Sequence, residues 1–304
     1  MMITILVSNM SYSFEGIEDI EQLAVQRALG LERSCVEFQP GVRVVAESRG
    51  IERTEVRFHG NGFTPHRHDT YALGLTLHGV QTFRYRGVER FSMPGNVIVL
   101  HPDEVHDGAA GTDAGLIYRM VYMPPELIGA IDGYSFSVPF VPDPVVANAE
   151  LSRTLAYILS DLDHEPDDLA KDDAIQRIGT ILSREAGAPR KRVTKVAQSA
   201  VLQARDFLLS HSDEPVRSAT LEDITGLDRY ALARHFRQLL GTSPHRYLVM
   251  RRLSRAKQLL LAGSSLAGAA VEAGFADQAH LTRHFRDAFG ITPGRWLALQ
   301  GGRA

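Results

Sequence analysis

Polar and apolar residues alternate from Thr54 to Tyr122, between Gly, Pro and Asp residues that recur at short intervals. Such alternation places successive side chains on opposite faces of a strand. Short strands separated by frequent turn residues are typical of an antiparallel β-sandwich or barrel. The pattern therefore predicts a β-domain whose strands contain VRF, YALGLTL, QTFRYRG, RFSMPG, NVIVLHP and GLIYRMVYM.

The hydrophobic period becomes helical after residue 145. The first apolar stripe comprises Leu151, Leu155, Ile158, Leu159 and Leu162, and the second comprises Ile175, Ile178, Ile181 and Leu182. A period near 3.6 residues predicts a pair of amphipathic helices. The segment GAPRKR at 187–192 is typical of a linker, and the chain after residue 193 is helical in pattern.

These changes of period predict an α+β chain of two domains. A regulatory β-barrel is expected at 1–145, a helical pair with the linker at 146–192, and an all-helical domain at 193–304. The apolar stripes of the helical pair have two open interpretations: they pack on the barrel, or they pair two subunits in a dimer.

Two segments of the helical domain, Leu232–Leu248 and Leu281–Leu297, are near-copies that share 9 of 17 residues without a gap. In each copy Leu and Phe recur on one helical face and Arg on the other. A Gly then ends the helix, and Ser-Pro or Thr-Pro starts the next one. A duplicated basic helix of this kind is typical of paired helix-turn-helix units that bind DNA.

A short helix is expected upstream of each copy. Before the second copy, Ser264-Ser265 caps a helix that runs to Ala273, Gly274 ends it, and Asp277 caps the recognition helix. Before the first copy, the helix Ser218–Thr225 fits less well, because Glu222 stands where the second copy has Ala270. We expect this first upstream helix to be displaced or shortened.

The apolar face of each recognition helix leaves basic and polar residues facing outward. The candidate DNA-binding residues are Arg229, Tyr230, Arg234 and Arg237 in the first copy and Gln278, His280, Arg283 and Arg286 in the second. Arg pairs bidentately with guanine, and Gln pairs with adenine. Between the copies, Pro244–Leu261 predicts a helical spacer of roughly 27 Å, and its Arg252 is a candidate phosphate contact.

Charge is distributed unevenly along the chain. Residues 190–304 contain 18 Lys and Arg against 9 Asp and Glu, whereas residues 1–189 contain 15 against 27. A basic C-terminal third suits a polyanionic partner. Because there is no apolar run of 18 residues, no membrane span is predicted. The single cysteine, Cys35, excludes an internal disulfide framework and a Cys-based zinc site, so the cytoplasm is the expected compartment.

Residues Thr220–Leu299 resemble the AraC/XylS family of transcription regulators, most closely in AAVEAGFADQAHLTRHFRDAFGITPGRW. The resemblance implies two helix-turn-helix units joined by a long helix, sequence-specific promoter binding, dimerisation and an N-terminal cupin-like domain that binds an effector. It places the base-reading positions on Tyr230, Ala233 and Arg234, and on Gln278, Ala279, His280 and Arg283.

Histidines of the β-domain are the candidate effector-binding residues, with a neighbouring tyrosine. The set is His66, His68, Tyr71 and His106. The His-x-His pair and the later His resemble the metal ligands of cupins, but Ala72 stands where a cupin has its ligand Glu. We therefore expect an effector pocket with no metal and no cofactor; if a metal is bound, His66, His68 and His106 hold it.

The sequence thus predicts a DNA-binding transcription regulator whose cupin-like domain senses a small molecule and modulates promoter binding. Its expected partners are double-stranded promoter DNA, the effector, a second copy of the chain, and RNA polymerase if the protein activates transcription. The alternative is a cupin-type metalloenzyme fused to a DNA-binding domain, which Ala72 disfavours because a catalytic site needs about three reliable ligands and an open position.

Overall fold

The computed structural model describes residues 40–48, 51–129, 138–187 and 193–300. Cys35 and most of the predicted linker lie outside these residues. The strands are β1 (Gly41–Ser48), β2 (Ile51–Phe58), β3 (Asn61–His66), β4 (Tyr71–His78), β5 (Gln81–Tyr85), β6 (Val88–Ser92), β7 (Val97–Leu100), β8 (His106–Ala110), β9 (Leu116–Met123) and β10 (Val145–Val146).

The described helices follow in a separate block, apart from a short one after β9. They are α1 (Pro125–Gly129), α2 (Ala149–Leu159), α3 (Asp168–Glu185), α4 (Lys195–Ser210), α5 (Ser218–Thr225), α6 (Arg229–Leu240), α7 (Pro244–Leu261), α8 (Leu266–Glu272), α9 (Gln278–Phe289) and α10 (Pro293–Gln300). None of them is long and apolar enough to cross a membrane.

Two antiparallel sheets form the β-domain. One has the order β1-β2-β9-β4-β7-β10 and the other the order β3-β8-β5-β6. Their inner faces enclose an apolar core that includes Val56, Ala72, Phe83, Tyr118 and Met120. The sequence pattern therefore predicted the β-domain correctly, and the alternation along each strand separates inner from outer side chains.

The outer face of the six-stranded sheet is covered by α2 and α3. All nine residues of the two predicted stripes are buried there, in one cluster with Leu73 and Leu75 of β4. The stripes thus pack on the barrel within one chain. Pairing of subunits through these stripes, the other interpretation, is wrong because burial against β4 already satisfies their apolar side chains.

The helical domain has two cores connected by α7. Leu232 and Phe236 of α6 belong to the first core, with Tyr247 at the start of α7. Leu281 and Phe285 of α9 belong to the second, with residues of α7, α8 and α10. One long helix therefore carries a helix-turn-helix unit at each end, as the repeat predicted.

The first upstream helix is not shortened, which excludes one of its two expected alternatives. It spans 8 residues, whereas its counterpart α8 spans 7. Glu222 is accommodated because its Oε1 accepts a hydrogen bond of 2.8 Å from the backbone N–H of Arg229. Glu222 occupies the position that Ala270 has in the second unit. Its carboxylate thus accepts a hydrogen bond from a backbone N–H that the start of α6 leaves unpaired.

Candidate functional site

Both recognition helices start at an aspartate and end at a glycine. Asp228 accepts hydrogen bonds from the backbone N–H groups of Tyr230 and Ala231 at 2.9 and 3.0 Å. Asp277 accepts one from His280 at 2.7 Å. These caps satisfy amides that the helix leaves unpaired, and they fix the residue at which each helix begins.

The candidate DNA-binding residues lie mainly on the outward faces of α6 and α9. The exposed ones are Arg229, Tyr230, Arg234, Arg237, Gln278, Arg283 and Arg286. Tyr230 is 72% exposed and its ring lies under the Arg229 guanidinium, 5.1 Å from the centroid. An aromatic side chain left in solvent at the start of a recognition helix is available for contact with DNA.

His280 is half-buried and differs from the other candidates. Its Nδ1 accepts a hydrogen bond from the Ala276 N–H at 3.3 Å, so its Nε2 carries the proton of the neutral ring. That Nε2 donates to Nε2 of His284, 2.9 Å away. Both ring nitrogens are therefore engaged, and a base contact by His280 requires this chain of hydrogen bonds to break.

The basic residues of α7 bind protein groups, which the sequence did not predict. Arg252 donates to the backbone carbonyls of Ser212 and Glu214, at 2.7 Å each. The phosphate contact expected of Arg252 is disfavoured, because its guanidinium is held by the loop between α4 and α5. Two further α7 cations, Arg251 and Lys257, face the β-domain.

The β-domain packs on the helical domain through ion pairs and backbone hydrogen bonds. Arg251 pairs with Asp69 at 2.8 Å, Lys257 with Glu52 at 2.6 Å, and Arg246 with Asp103 at 2.8 Å. The Arg246 guanidinium also donates to the carbonyl oxygen of Arg67. These pairs join residues more than 140 positions apart, and nothing in the local pattern identified them.

The end of α9 rests on strand β3. The Gly290 carbonyl accepts hydrogen bonds from the backbone N–H and the Oγ1 of Thr64, at 3.3 and 2.8 Å. The Asp287 carbonyl accepts one from the Arg67 N–H at 3.3 Å. The second recognition helix is thus tied to the β-domain by its C-terminal end, which leaves its N-terminal residues exposed.

A cavity lies between the two domains, with an empty volume of about 1210 Å³ that includes its opening to solvent. Its β-domain wall includes Phe83, Met120, Tyr118 and Tyr122, together with the three predicted histidines. Its other wall belongs to α7, α9 and α10 and includes Met250, Ser254, Lys257, Phe289 and Trp296. Concave, mainly apolar sites with a few polar groups are typical of small-molecule pockets.

His66, His68 and His106 lie together at this cavity, as predicted. Their ring centroids are 4.3 Å apart for His66 and His106, 4.9 Å for His68 and His106, and 6.4 Å for His66 and His68. His66 lies directly opposite His106 in the pairing of β3 with β8. The register of these two strands therefore creates the cluster.

Burial keeps the three imidazoles neutral. It lowers the pKa of His66 to about 4 and that of His68 to about 3, and it lowers the pKa of His106 well below its ordinary value. Each Nδ1 is within 2.9 Å of a backbone carbonyl oxygen, and the three carbonyls belong to Thr64, Thr70 and Glu104. Because a carbonyl only accepts, each Nδ1 carries the proton and each Nε2 presents a lone pair.

This donor set resembles a metal site in its chemistry but not in its arrangement. Neutral imidazoles whose Nδ1–H groups bond to carbonyls are what a metal requires. Among the described residues, however, no group of three or more His, Cys, Asp or Glu side chains is placed to hold a metal ion. Ala72 lies on the inner face of β4, so a methyl group occupies the position at which a cupin has its ligand Glu. The residues do not fit a metal.

Tyr71 does not reach the cavity, which corrects its prediction as an effector-binding residue. It is fully buried in the outer cluster between β4 and the helices, and its hydroxyl donates to the carbonyl oxygen of Pro139. Since neighbours on a strand point to opposite faces, the inward position of Ala72 requires Tyr71 to point outward.

Strands β5 and β9 each contain an adjacent tyrosine and arginine, of which only one can point inward. Tyr85 points inward, where its hydroxyl hydrogen-bonds with Nδ1 of His101 at 2.7 Å, while Arg84 is exposed. Tyr118 lines the cavity, and Arg119 points outward to Glu55 at 2.7 Å. Neither inward position is an arginine, so these strands supply no cation to the cavity.

Comparison with known proteins now identifies the two domains. Residues 49–178 match the family described as AraC-like ligand binding domain, and residues 221–298 match a helix-turn-helix domain family. The chain belongs to the AraC family of transcriptional regulators. It is a DNA-binding transcription regulator with a ligand-binding, cupin-like N-terminal domain. The metalloenzyme alternative is wrong, because the family consists of regulators rather than enzymes.

Curated relatives of this AraC-family regulator are also transcription factors. It is 26% identical over 224 residues to the uncharacterised HTH-type transcriptional regulator YbfI of Bacillus subtilis (strain 168), covering 72% of this chain and 81% of YbfI. It is 22% identical over 239 residues to the HTH-type transcriptional activator RhaS of Yersinia pestis bv. Antiqua (strain Angola), covering 74% and 86% of the two chains.

Solved structures with the same fold include ToxT from Vibrio cholerae. A 1.65 Å structure of ToxT has a TM-score of 0.61 and 11% identity, and the match covers 84% of this chain and 100% of ToxT. At this identity the likeness concerns the fold alone. It extends over both domains, so the arrangement of a β-domain followed by helices and a helical DNA-binding domain is shared.

Proposed function

We propose that this AraC-family regulator binds its effector in the cavity between the domains, and that binding shifts the placement of the helix-turn-helix units on DNA. The observation that best supports this proposal is that residues of both domains line the cavity. Tyr118 and Tyr122 belong to the barrel, whereas Met250 and Trp296 belong to the helical domain. A ligand that touches both has an affinity that depends on their arrangement, which is the requirement for coupling.

Ligand-bound ToxT structures support the binding of a small molecule by this fold. One V. cholerae ToxT structure is bound to an unsaturated fatty acid and another to (E)-4-(8-methylnaphthalen-1-yl)but-3-enoic acid. Their TM-scores to this chain are 0.58 and 0.62. These structures indicate that this two-domain fold accepts a small molecule. In this chain we assign the contacts with the effector to His66, His68 and His106.

We assign DNA readout to the outward faces of α6 and α9. The proposed residues are Arg229, Tyr230, Arg234, Arg237, Gln278, His280, Arg283 and Arg286. Gln278 and Arg283 are the strongest base readers among them, since both are exposed on α9 and can make bidentate contacts with adenine and guanine. His280 contributes only after it leaves His284.

We further propose that the regulator acts as a cytoplasmic homodimer and that it contacts RNA polymerase where it activates transcription. The buried stripes of α2 and α3 leave only the outer face of this helical pair for a second copy. That face carries Tyr157 and Leu169, which are 58% and 82% exposed. Analytical ultracentrifugation of the full chain tests the dimer, and a monomer at micromolar concentration would contradict it.

The coupling is tested with DNA as the first probe. Genome-wide mapping of bound sites identifies the operator, and fluorescence anisotropy then measures its Kd with purified protein. A compound that raises the melting temperature is added to that titration. We expect it to change the operator Kd by about 5- to 150-fold, the usual range of coupling. A compound that binds the cavity but changes neither operator affinity nor promoter output would refute the coupling.

A further inference from the structure

We infer that the effector presents hydrogen-bond donors, ammonium or hydroxyl groups, and carries no negative charge. This inference rests on the proposed function, because it concerns the same cavity. It differs from the acids found in the ToxT structures, whose carboxylates accept hydrogen bonds. It follows from the polar atoms of this cavity and from their charges.

Buried polar atoms without a hydrogen-bond partner among the described residues include three acceptors at the cavity. They are Nε2 of His68, Oδ1 of Asp69 and Oε1 of Gln81. The three side chains are only 4%, 2% and 6% exposed. A buried polar atom left unpaired is costly, so each of these atoms calls for a partner that the protein itself does not provide.

These three atoms only accept; the other buried polar atoms of this kind at the wall are the Thr54 hydroxyl, which both donates and accepts, and a nitrogen of Arg251, whose guanidinium pairs with Asp69. The Nδ1–H of His68 is used by the Thr70 carbonyl at 2.9 Å, so Nε2 offers only its lone pair. The Asp69 carboxylate and the Gln81 amide oxygen accept by their nature. Hydroxyl and ammonium groups donate to such atoms, whereas a carboxylate would place its own lone pairs against them.

The charges of the cavity also disfavour an anion. Three carboxylates line it, those of Glu52, Asp69 and Asp107, against two cations, Arg251 and Lys257. The histidines add no charge at neutral pH, because burial lowers the pKa of each. Both cations already form ion pairs, with Asp69 at 2.8 Å and with Glu52 at 2.6 Å. An anionic head group would have to displace a carboxylate from one of them.

Gln81 lies apart from the histidine cluster along the cavity wall. In the pairing of β5 with β8, Tyr85 is opposite His106 and Gln81 is opposite Ala110. Four residues of strand separate these positions by about 13 Å. Phe83 lies between them on β5 and faces the cavity. The expected effector therefore has an apolar or aromatic middle part, with its donor groups toward the ends.

The test compares three pools of small molecules of two to twelve carbons at equal concentration: primary amines, neutral alcohols and polyols, and carboxylates. Thermal shift of the full chain detects binding. Stabilisation by the amine or the polyol pool supports the inference and tells the two donor groups apart. Stabilisation by the carboxylates alone overturns it but leaves the effector cavity intact, and stabilisation by none of the pools overturns both proposals.

Gln81→Leu gives a second test. The substitution replaces an unpaired acceptor with an apolar group of similar size, so we expect the melting temperature of the free protein to be unchanged or higher. For a compound found above, we expect the Kd to rise at least tenfold. The matched control is Gln176→Leu on the exposed face of α3, which should leave the Kd unchanged. An unchanged Kd in Gln81→Leu would overturn the assignment of this acceptor.

Elemental analysis of the purified protein provides an independent check. Stoichiometric zinc, iron or manganese would overturn the inference, because the lone pairs of His66, His68 and His106 would then belong to the metal. A metal content well below stoichiometric supports an organic hydrogen-bond donor as the partner of these histidine lone pairs.

Discussion

The histidines of the cavity show how a few backbone carbonyls decide what a side chain can do. The carbonyls of Thr64, Thr70 and Glu104 fix one tautomer in all three rings. The His-x-His spacing predicted that His66 and His68 would lie near His106. It did not predict that Tyr71 points away, because the register of β4 depends on its partners β7 and β9 rather than on its own residues.

Stability should fall as the pH is lowered from 7 toward 4. Between pH 6.5 and about 4 the unfolded chain binds protons on His66 and His68, whereas the folded chain does not, because burial lowers both pKa values, to about 4 and about 3. The unfolded state is therefore favoured as the pH decreases through this window. Urea denaturation at pH 7, 6, 5 and 4.5 measures the slope. His68→Gln, which does not titrate, should have a shallower slope, and an equal slope in both proteins would contradict the assignment.

Arg283→Ala should weaken specific DNA binding by about 1–3 kcal/mol and relax base preference at one position. The reason is that Arg283 is exposed on α9 and forms no ion pair with the described residues that would compete with DNA. Anisotropy with the operator and with single-base variants measures the loss. Arg177→Ala on α3, whose arginine pairs with Asp173 far from the recognition helices, is the control. If Arg283→Ala still discriminates fully between the operator and its single-base variants, Arg283 does not take part in base readout.

The helix boundaries were the features that the sequence predicted best. The ranges Ser218–Thr225 and Pro244–Leu261 expected from the sequence agree with α5 and α7 as observed. Capping residues and glycines are local signals, so one sequence suffices to locate them. The packing role of Glu222 was missed, since its bond to Arg229 depends on the turn between two helices.

The glycines that end the recognition helices have a second role at the domain interface. Gly241 and Gly290 have φ values of +71° and +69°. A Cβ on Gly241 would lie 2.6 Å from Cβ of Pro102, and one on Gly290 would lie 2.7 Å from the carbonyl oxygen of Thr64. Each therefore permits a close approach of the β-domain as well as a left-handed turn.

Gly290→Ala should loosen the contact between α9 and β3. The left-handed conformation alone costs an alanine about 1–2 kcal/mol, and the clash with Thr64 adds to it. Hydrogen exchange should accelerate at the amides of Thr64 and Arg67, which bond to Gly290 and Asp287. The matched control is Gly226→Ala, where φ is +66° but nothing lies within 4 Å of the added Cβ. Equal exchange in the two variants would show that the glycine acts only as a cap.

On the scale of the whole molecule, sequence reasoning identified the two domains but not their contact. The ion pair between Arg246 and Asp103 links residues whose separation in sequence leaves no periodic signal. Arg252 of α7 was a candidate phosphate contact because charge composition does not distinguish an exposed cation from one bound within the chain.

Arg246→Met should separate the unfolding of the two domains. Its guanidinium is largely buried, pairs with Asp103 and bonds to the Arg67 carbonyl, and the loss of such charged hydrogen bonds costs about 1.5–3 kcal/mol. Calorimetry should show a single coupled transition in the wild type and two in the variant. Arg177→Met removes a solvent-exposed pair worth about 0–1 kcal/mol and should keep one transition. A single transition in Arg246→Met would mean that the remaining ion pairs, backbone hydrogen bonds and apolar contacts suffice to couple the domains.

The shared cavity also makes the sensitivity of the regulator depend on its DNA. If the effector changes operator affinity by some factor, the operator changes effector affinity by the same factor. The half-saturating effector concentration is then a property of the protein–DNA complex rather than of the protein. Extra operator copies on a plasmid should shift the induction threshold, and the direction of that shift gives the sign of the coupling without any measurement on the purified protein.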